Sequence, residues 1–318
     1  MSARVNGSGL APRATHAGPM KYTYYPGCTS ETTAVEFGLS TAAVCEALGM
    51  QLIELEDWNC CGASSAHSLD HELGLALPGR NVALAQQAGL DIVIPCPACY
   101  QHCRDADIRM RDDPVWREKM ERILRFRYGG EARPRHLLEV LSHDVGREIL
   151  RQKVTRPLEG LKVASYYGCV LVRPPELTGW DDPEHPVTMD RLITAVGAEA
   201  IDWSYKVDCC GASLTLSRGD IVTALSTRIV EGAAEAGADC IVSVCGMCEI
   251  NLDTRQAPGS GDKMPVFYLT ELLALALGLP RVERWLRRHS IDPRPLLRQR
   301  GLLGEALLDR AEDKRSYE

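Results

Sequence analysis

Arg80–Cys99 reads RNVALAQQAGLDIVIPCPAC. A helix-like run from Asp70 to Ala88 ends at Gly89, with Pro78 and Gly79 expected to interrupt it or start a new turn. The apolar, β-branched DIVIP that follows is a short buried strand. Directly at its end stand Cys96 and Cys99, two residues apart. A later stretch, Arg228–Cys248 (RIVEGAAEAGADCIVSVCGMC), repeats the pattern and closes on Cys245 and Cys248.

Working outward, the whole chain repeats itself. YTYYPGC (Tyr22–Cys28) pairs with VASYYGC (Val163–Cys169), and CCGAS occurs at Cys60 and again 149 positions later at Cys209. Cys28 is followed after 31 residues by Cys60-Cys61, and 34 more lead to Cys96. Cys169 is followed after 39 residues by Cys209-Cys210, and again 34 lead to Cys245. PRHLLEVLSHDVG and PVFYLTELLALALG read as matching amphipathic helices that each follow a proline. The chain thus divides into a disordered tail (1–20), two homologous lobes (21–155 and 156–285) joined near Thr155-Arg156-Pro157, and a C-terminal helical tail (286–318).

Within each lobe strands alternate with helices, so the fold class is α/β: two pseudo-symmetric lobes, each a small, mainly parallel sheet with flanking helices. KYTYY, QLIELE and LKVASYY are further strands, and Thr32–Leu48 is a helix with Val35, Leu39 and Ala42 on one stripe and Gly49 as its stop. Every cysteine group falls just after a strand. Sites in parallel sheets form beyond the carboxyl ends of strands, so thiols distant in sequence gather at one sheet edge.

Composition narrows the function. Of 318 residues, 45% are hydrophobic and 25% charged, a globular balance, and a net charge of −7 lacks the basic excess of a nucleic-acid binder. No run is long and apolar enough for a transmembrane segment; Val266–Leu279, the best candidate, is short and carries Glu271, so it reads as a buried helix. The first residues lack a signal peptide's apolar core. Thirteen cysteines, an odd number without a secretion signal, point to metal or redox chemistry in a cytoplasmic protein rather than to a disulfide framework.

Zinc fits poorly: the two C-x-x-C pairs sit in different lobes, and four-coordinate zinc leaves a fifth thiol and the vicinal pair without a role. A thioredoxin-type dithiol accounts for one C-x-x-C but not for the repeat. Iron–sulfur clusters suit soft thiolates, though an ordinary cubane uses four. Adjacent cysteines reach two neighbouring irons more easily than opposite corners of one cube. Gly62 and Gly211 suit a close backbone approach to such a cofactor, because glycine has no Cβ.

YPGC, CCGA, PCPAC, the second CCGAS and CGMC together resemble the duplicated cysteine-rich CCG domain of the heterodisulfide reductase B-subunit family, from about Lys21 to Leu279. The resemblance implies two non-cubane 4Fe–4S clusters. One would be held by Cys28, Cys60, Cys61, Cys96 and Cys99, the other by Cys169, Cys209, Cys210, Cys245 and Cys248. It implies an oxidoreductase acting on sulfur groups: a disulfide or thiol substrate between the lobes, reduced or formed in one-electron steps at the two clusters. Its implied partners are the family's ferredoxin-like and flavin-containing subunits, and the chain itself has no ferredoxin C-x2-C-x2-C-x3-C-P run. The iron–sulfur subunits of glycolate, lactate and glycerol-phosphate oxidising systems are similar but less so, since many have lost part of one C-x-x-C. They supply the alternative of a non-catalytic electron-transfer subunit.

Other residues read as structural. Cys45 and Cys240 are core thiols, and Cys103 shares a helix face with Cys99 but has no counterpart in the second lobe. His102 reads as a surface loop histidine, Trp58, Tyr166 and Tyr167 as core aromatics, and the mixed-charge Arg104–Arg127 as a solvated helical face.

Overall fold

A computed structural model describes residues 20–63, 65–256 and 263–304. The tail expected before Met20, and the part of the C-terminal tail after Gly304, lie outside the described residues.

The first lobe contains β1 (Met20–Tyr24), α1 (Val35–Ala47), β2 (Met50–Glu54), α2 (His71–Ala88), β3 (Ile92–Ile94), α3 (Pro97–Asp112), α4 (Pro114–Leu124) and β4 (Pro134–His136). The second contains β5 (Lys162–Tyr166), α5 (Thr188–Ala195), β6 (Glu199–Ile201), α6 (Gly219–Glu235), β7 (Cys240–Ser243), α7 (Gly246–Thr254), β8 (Val266–Tyr268) and α8 (Leu269–Ala276). The sheets run β2-β1-β3-β4 and β6-β5-β7-β8, one topology used twice, with every pairing parallel. β3 and β7 are buried along their whole length, as central parallel strands covered on both faces must be. That is why β3 is an unbroken apolar run and β7 is apolar up to its last residue, Ser243.

The fourth strand of each sheet corrects the sequence reading, which began a helix at each proline. Pro134–His136 and Val266–Tyr268 are strands first, paired with β3 and β7, and the helices start only at Leu137 and Leu269. A proline at the start of an edge strand withholds no ladder bond, so it opens a strand as readily as a helix. A second correction concerns α2, which runs unbroken through Pro78 and Gly79. Both residues are buried, and Gly79 lets α3 and α4 come close, with Met110 and Leu124 facing it; that packing outweighs the lost hydrogen bond.

The lobes share one core. α1 lies on the second lobe: Phe37 stacks on Tyr268 with centroids 4.5 Å apart and planes 10° off parallel, and Ser40 and Thr270 hydroxyls meet at 2.6 Å. This contact explains a third correction. The buried stripe of α1 is Phe37, Ser40, Thr41, Val44 and Cys45, whereas Leu39 and Ala42 face outward. Buried polar residues on α1 belong to the lobe interface, so apolar periodicity selects the wrong face.

Candidate metal centre

In both sheets the cysteine-bearing loops leave the carboxyl ends of the same three strands. β1, β2 and β3 lead to Cys28, Cys60-Cys61 and Cys96; β5, β6 and β7 lead to Cys169, Cys209-Cys210 and Cys245. The last cysteine of each group, Cys99 or Cys248, sits in the first turn of α3 or α7. The expected five thiols thus come together in each lobe. Cys61 and Cys99 sulfurs are 3.2 Å apart, and Cys210 and Cys248 sulfurs 3.4 Å. Cys28 neighbours Cys60, Cys96 neighbours Cys99, Cys169 neighbours Cys209, and Cys245 neighbours Cys248 closely enough for the thiols to shift one another's protonation. The groups are buried beneath and open above: Cys28, Cys60 and Cys209 are exposed, and Cys169 is half-buried.

Backbone geometry aims at the sulfurs. Gly62 and Gly211 have positive φ (74° and 82°), and each donates its N–H to the sulfur two residues earlier, Cys60 at 3.4 Å and Cys209 at 3.3 Å. Their missing side chains make room for a helix rather than for the thiols. A Cβ there would meet Ala66 and Leu77 in the first lobe, and Val222 and Leu225 in the second. Close approach to the thiols falls instead to Gly27 and Gly168, which the sequence reading passed over. At φ 74° and 70°, a Cβ on either would stand 3.3 Å from Cys99 or Cys248 sulfur. The signal was present in the paired PGC and YGC strings.

Two tyrosines were also under-read. Tyr25 and Tyr166 are three residues before the first cysteine of their lobes and fully buried. Tyr25 donates its hydroxyl to the Asn59 carbonyl at 3.0 Å, and Tyr166 to the Asp208 carbonyl at 2.6 Å. Asn59 and Asp208 each precede a vicinal cysteine pair, so the tyrosines fasten the CC loops beneath the site. Tyr167 is core, held to Asp190 at 2.6 Å, and half-buried Trp58 meets Tyr25 edge-on at 5.3 Å.

The thiols govern one another's protonation. Hydrogen bonds to Cys61 and Cys96, together with burial, push Cys99 well up; Cys248 is pushed up in the same way through Cys210 and Cys245. A hydrogen bond from Cys99 lowers Cys96 to about 7 against the opposing effect of burial. One from Cys169 likewise lowers Cys209 to about 6, helped by the N–H groups of Gly211 and Ala212. Burial and the charge of Cys60 raise Cys28 to about 11. Within each group some sulfurs ionise only because neighbours keep their protons. Five clustered thiols are soft donors of the kind that hold iron and sulfide, and the donor set fits an iron–sulfur cluster on that ground.

The lobes also cross-pack at the site. Gly246, inside the second C-x-x-C, faces Ala34 and Thr29 of the first lobe, beside Cys28. Reciprocally, α3 reaches the loop after Cys169: Gln101 donates to the Arg173 carbonyl at 2.6 Å and Arg104 to the Leu177 carbonyl at 3.3 Å. The remaining cysteines stay apart from this pattern. Cys45 and Cys240 are buried in α1 and β7, and Cys103 is fully buried on α3 with its sulfur toward the Pro78 carbonyl. His102 is half-buried on α3 rather than on a surface loop. The charged segment is not simply solvated either. It breaks at Asp113-Pro114, and Asp107 is buried between Arg104, Arg111 and Tyr128.

The described residues contain no helix long and apolar enough to cross a membrane. The cysteine-rich domain family, CCG, matches twice, over residues 22–104 and 163–253. Among curated relatives, the chain is 31% identical over 280 residues to the membrane anchor subunit of 8-methylmenaquinol:fumarate reductase from Wolinella succinogenes, covering 86% of this chain and 97% of that protein. It is 32% identical over 283 residues to the B-subunit of the ferredoxin/F420H2-dependent CoB-CoM heterodisulfide reductase of Methanosarcina acetivorans, covering 86% and 94%. A solved structure of a hypothetical protein from Helicobacter pylori shares the fold, with TM-score 0.68 at 12% identity over 86% of this chain; the chain spans 52% of that one.

Proposed function

This chain belongs to the duplicated cysteine-rich CCG-domain family that includes the B-subunits of heterodisulfide reductases, and on that premise we propose that it is the iron–sulfur catalytic subunit of a heterodisulfide reductase-like complex. The observation that supports this most is the doubling of the site: two five-thiol groups at equivalent strand ends, cross-packed through the Cys28 turn and the second C-x-x-C. Cys28, Cys60, Cys61, Cys96 and Cys99 would hold one 4Fe–4S cluster of non-cubane type, and Cys169, Cys209, Cys210, Cys245 and Cys248 the other. Bound clusters supply one-electron transfer, and two of them match the two electrons that, with two protons, convert a disulfide to two thiols.

The chain's own residues hold this arrangement and leave one side open. Gly62 and Gly211 direct N–H groups at thiolate sulfur, Gly27 and Gly168 admit the turns that press on Cys99 and Cys248, and Tyr25 and Tyr166 fix the CC loops. The exposed sides of Cys28, Cys60 and Cys209 give the sulfur substrate its approach. As a B-subunit of a multi-subunit reductase, the chain would take its electrons from ferredoxin-like and flavin-containing partner subunits.

A second reading has its own support. The Wolinella succinogenes relative is named for fumarate reduction, at 31% identity over nearly its whole length. On that reading the chain relays electrons within a dehydrogenase or reductase complex and binds no thiol. EPR of the anaerobically purified protein, poised oxidised with and without added thiols, separates the two. A new or shifted signal with thiol supports catalysis; an unchanged spectrum on a cluster-loaded chain refutes it in favour of relay.

A further inference from the structure

The apolar stripe that periodicity selects on α1 is not taken up by the core. Leu39 is 48% exposed, and Ala42, Ala43 and Ala47 lie on the same outward side of the helix. Together they floor a groove of about 1000 Å³. Its opposite wall is Leu279, Pro280 and a short helix, α9 (Val282–Leu286), whose Trp285 is buried at the seam. That wall carries Arg281, Arg284 and Arg288, all exposed. α1 belongs to the first lobe and α9 follows the second, so the groove runs along the seam between them.

The charge on this wall runs against that of the chain. Net charge is −7, yet Arg281–Arg288 holds four arginines against one acid, Glu283. Several exposed arginines elsewhere are matched to a carboxylate: Arg151 to Glu148, Arg218 to Asp220, Arg228 to Asp208 and Arg300 to Asp239. Among the described residues Arg281, Arg284 and Arg288 have no ion-pair partner, and Glu283 turns to Arg298 at 3.9 Å instead. Arg281 also sits at φ 69°, a left-handed conformation that costs a non-glycine residue ~1–2 kcal/mol. The chain bears that cost where this guanidinium lines the groove.

We propose that this groove docks an amphipathic, acidic helix of a partner protein. Its apolar stripe would lie on Leu39 and the alanines, and its carboxylates would pair with Arg281, Arg284 and Arg288. Alanines in the floor let a helix approach to the usual spacing of about 8–10 Å between axes. The three arginines are spaced i, i+3 and i+7, so they follow one edge of a helix-sized groove, and each guanidinium offers a planar fork that matches a carboxylate. A lipid surface fits less well, because the apolar residues line a concavity and Trp285 is only 7% exposed instead of projecting to insert. The inference stands whether or not the thiol groups hold clusters.

The test uses the full chain, purified anaerobically, and a dye-labelled synthetic peptide of about five helical turns. The peptide has a leucine stripe at helical spacing, glutamates along both flanks and alanine elsewhere; a control peptide carries glutamine for every glutamate. Fluorescence anisotropy should show the acidic peptide bound and the control weaker by about tenfold or more, the scale of one hydrogen bond to a charged group. Arg284→Glu combined with Arg288→Glu should weaken the acidic peptide by about tenfold or more. Ala42→Trp, which fills the floor, should weaken both peptides. All three positions are exposed, so a thermal melt like that of the wild type separates lost docking from lost folding. If Ala42→Trp fails to fold, the arginine variant decides alone. Equal binding of the two peptides, no binding of either, or binding indifferent to Arg284 and Arg288 overturns the proposal. So does binding to anionic phosphatidylglycerol vesicles, or dimer formation in sedimentation, that the same variants abolish; those results would give the groove to a membrane or to a second copy.

Discussion

Substituting alanine for Gly27 separates two effects that glycine can have, backbone freedom and close approach to sulfur. Gly27 has φ 74° and ψ 158°, a region essentially reserved for glycine, and forcing an L-residue into it costs ~1–3 kcal/mol. Gly49 provides the control. Its φ is 79°, but a Cβ there meets nothing within 4 Å. Gly49→Ala should therefore lose ~1–2 kcal/mol of stability and nothing else. Gly27→Ala carries a backbone cost at least as large, because φ 74° with ψ 158° is essentially reserved for glycine, and adds a methyl 3.3 Å from Cys99 sulfur, closer than ordinary van der Waals contact. Either the sulfur or the Cys28 turn must give by a few tenths of an ångström, and both belong to one five-thiol group. Denaturant unfolding under anaerobic conditions should find Gly27→Ala destabilised at least as much as Gly49→Ala. Iron analysis should part them, with Gly49→Ala retaining the full content and Gly27→Ala losing roughly half, the share of one 4Fe–4S cluster. Gly168→Ala should repeat the result in the second lobe. Full iron and an unaltered spectrum in Gly27→Ala would refute the claim that this glycine serves the thiol site.

Other consequences are open to measurement. Cys103→Ala should cost ~1–2 kcal/mol through the cavity it leaves on α3, with iron content unchanged; lost iron would make Cys103 a ligand. Tyr166→Phe should destabilise by ~1 kcal/mol, because the Asp208 carbonyl loses the hydroxyl that caps it at 2.6 Å; no change in unfolding free energy would show that the bond contributes nothing. Burial alone would lower the pKa of His289, but the charge of Glu271 and hydrogen bonds with Glu249 and Glu271 hold it up to about 11. Folding therefore takes up a proton there. The resulting stabilisation is complete below about pH 6.5, the unfolded value, and fades as pH rises toward 11. Imidazole NMR should find His289 still protonated at about pH 8, and a neutral ring at that pH contradicts the assignment.

Much of this molecule was legible in the sequence because duplication supplies an internal comparison. Two copies of C, CC and CxxC in step marked the ten thiols that the fold gathers into two groups, and helix-stop-strand patterns such as Arg80–Cys99 gave the parallel α/β lobes. What escaped was set by contacts between distant parts. The fourth strands hid behind prolines because three residues are too few for a period, and their identity comes from pairing with β3 and β7. The exposed Leu39 stripe misled because α1 buries Ser40 and Thr41 against the other lobe. Gly27 and Gly168 were outshone by Gly62 and Gly211, whose place beside the vicinal cysteines suggested sulfur contact when their Cβ directions face helices.

The central claim is that each five-cysteine group holds one iron–sulfur cluster. The direct measurement is iron, zinc and acid-labile sulfide per chain after strictly anaerobic purification. Two 4Fe–4S clusters require about eight irons and about eight sulfides. About four irons would mean that one group does not bind despite its ligands, and zinc in place of iron would contradict the account outright.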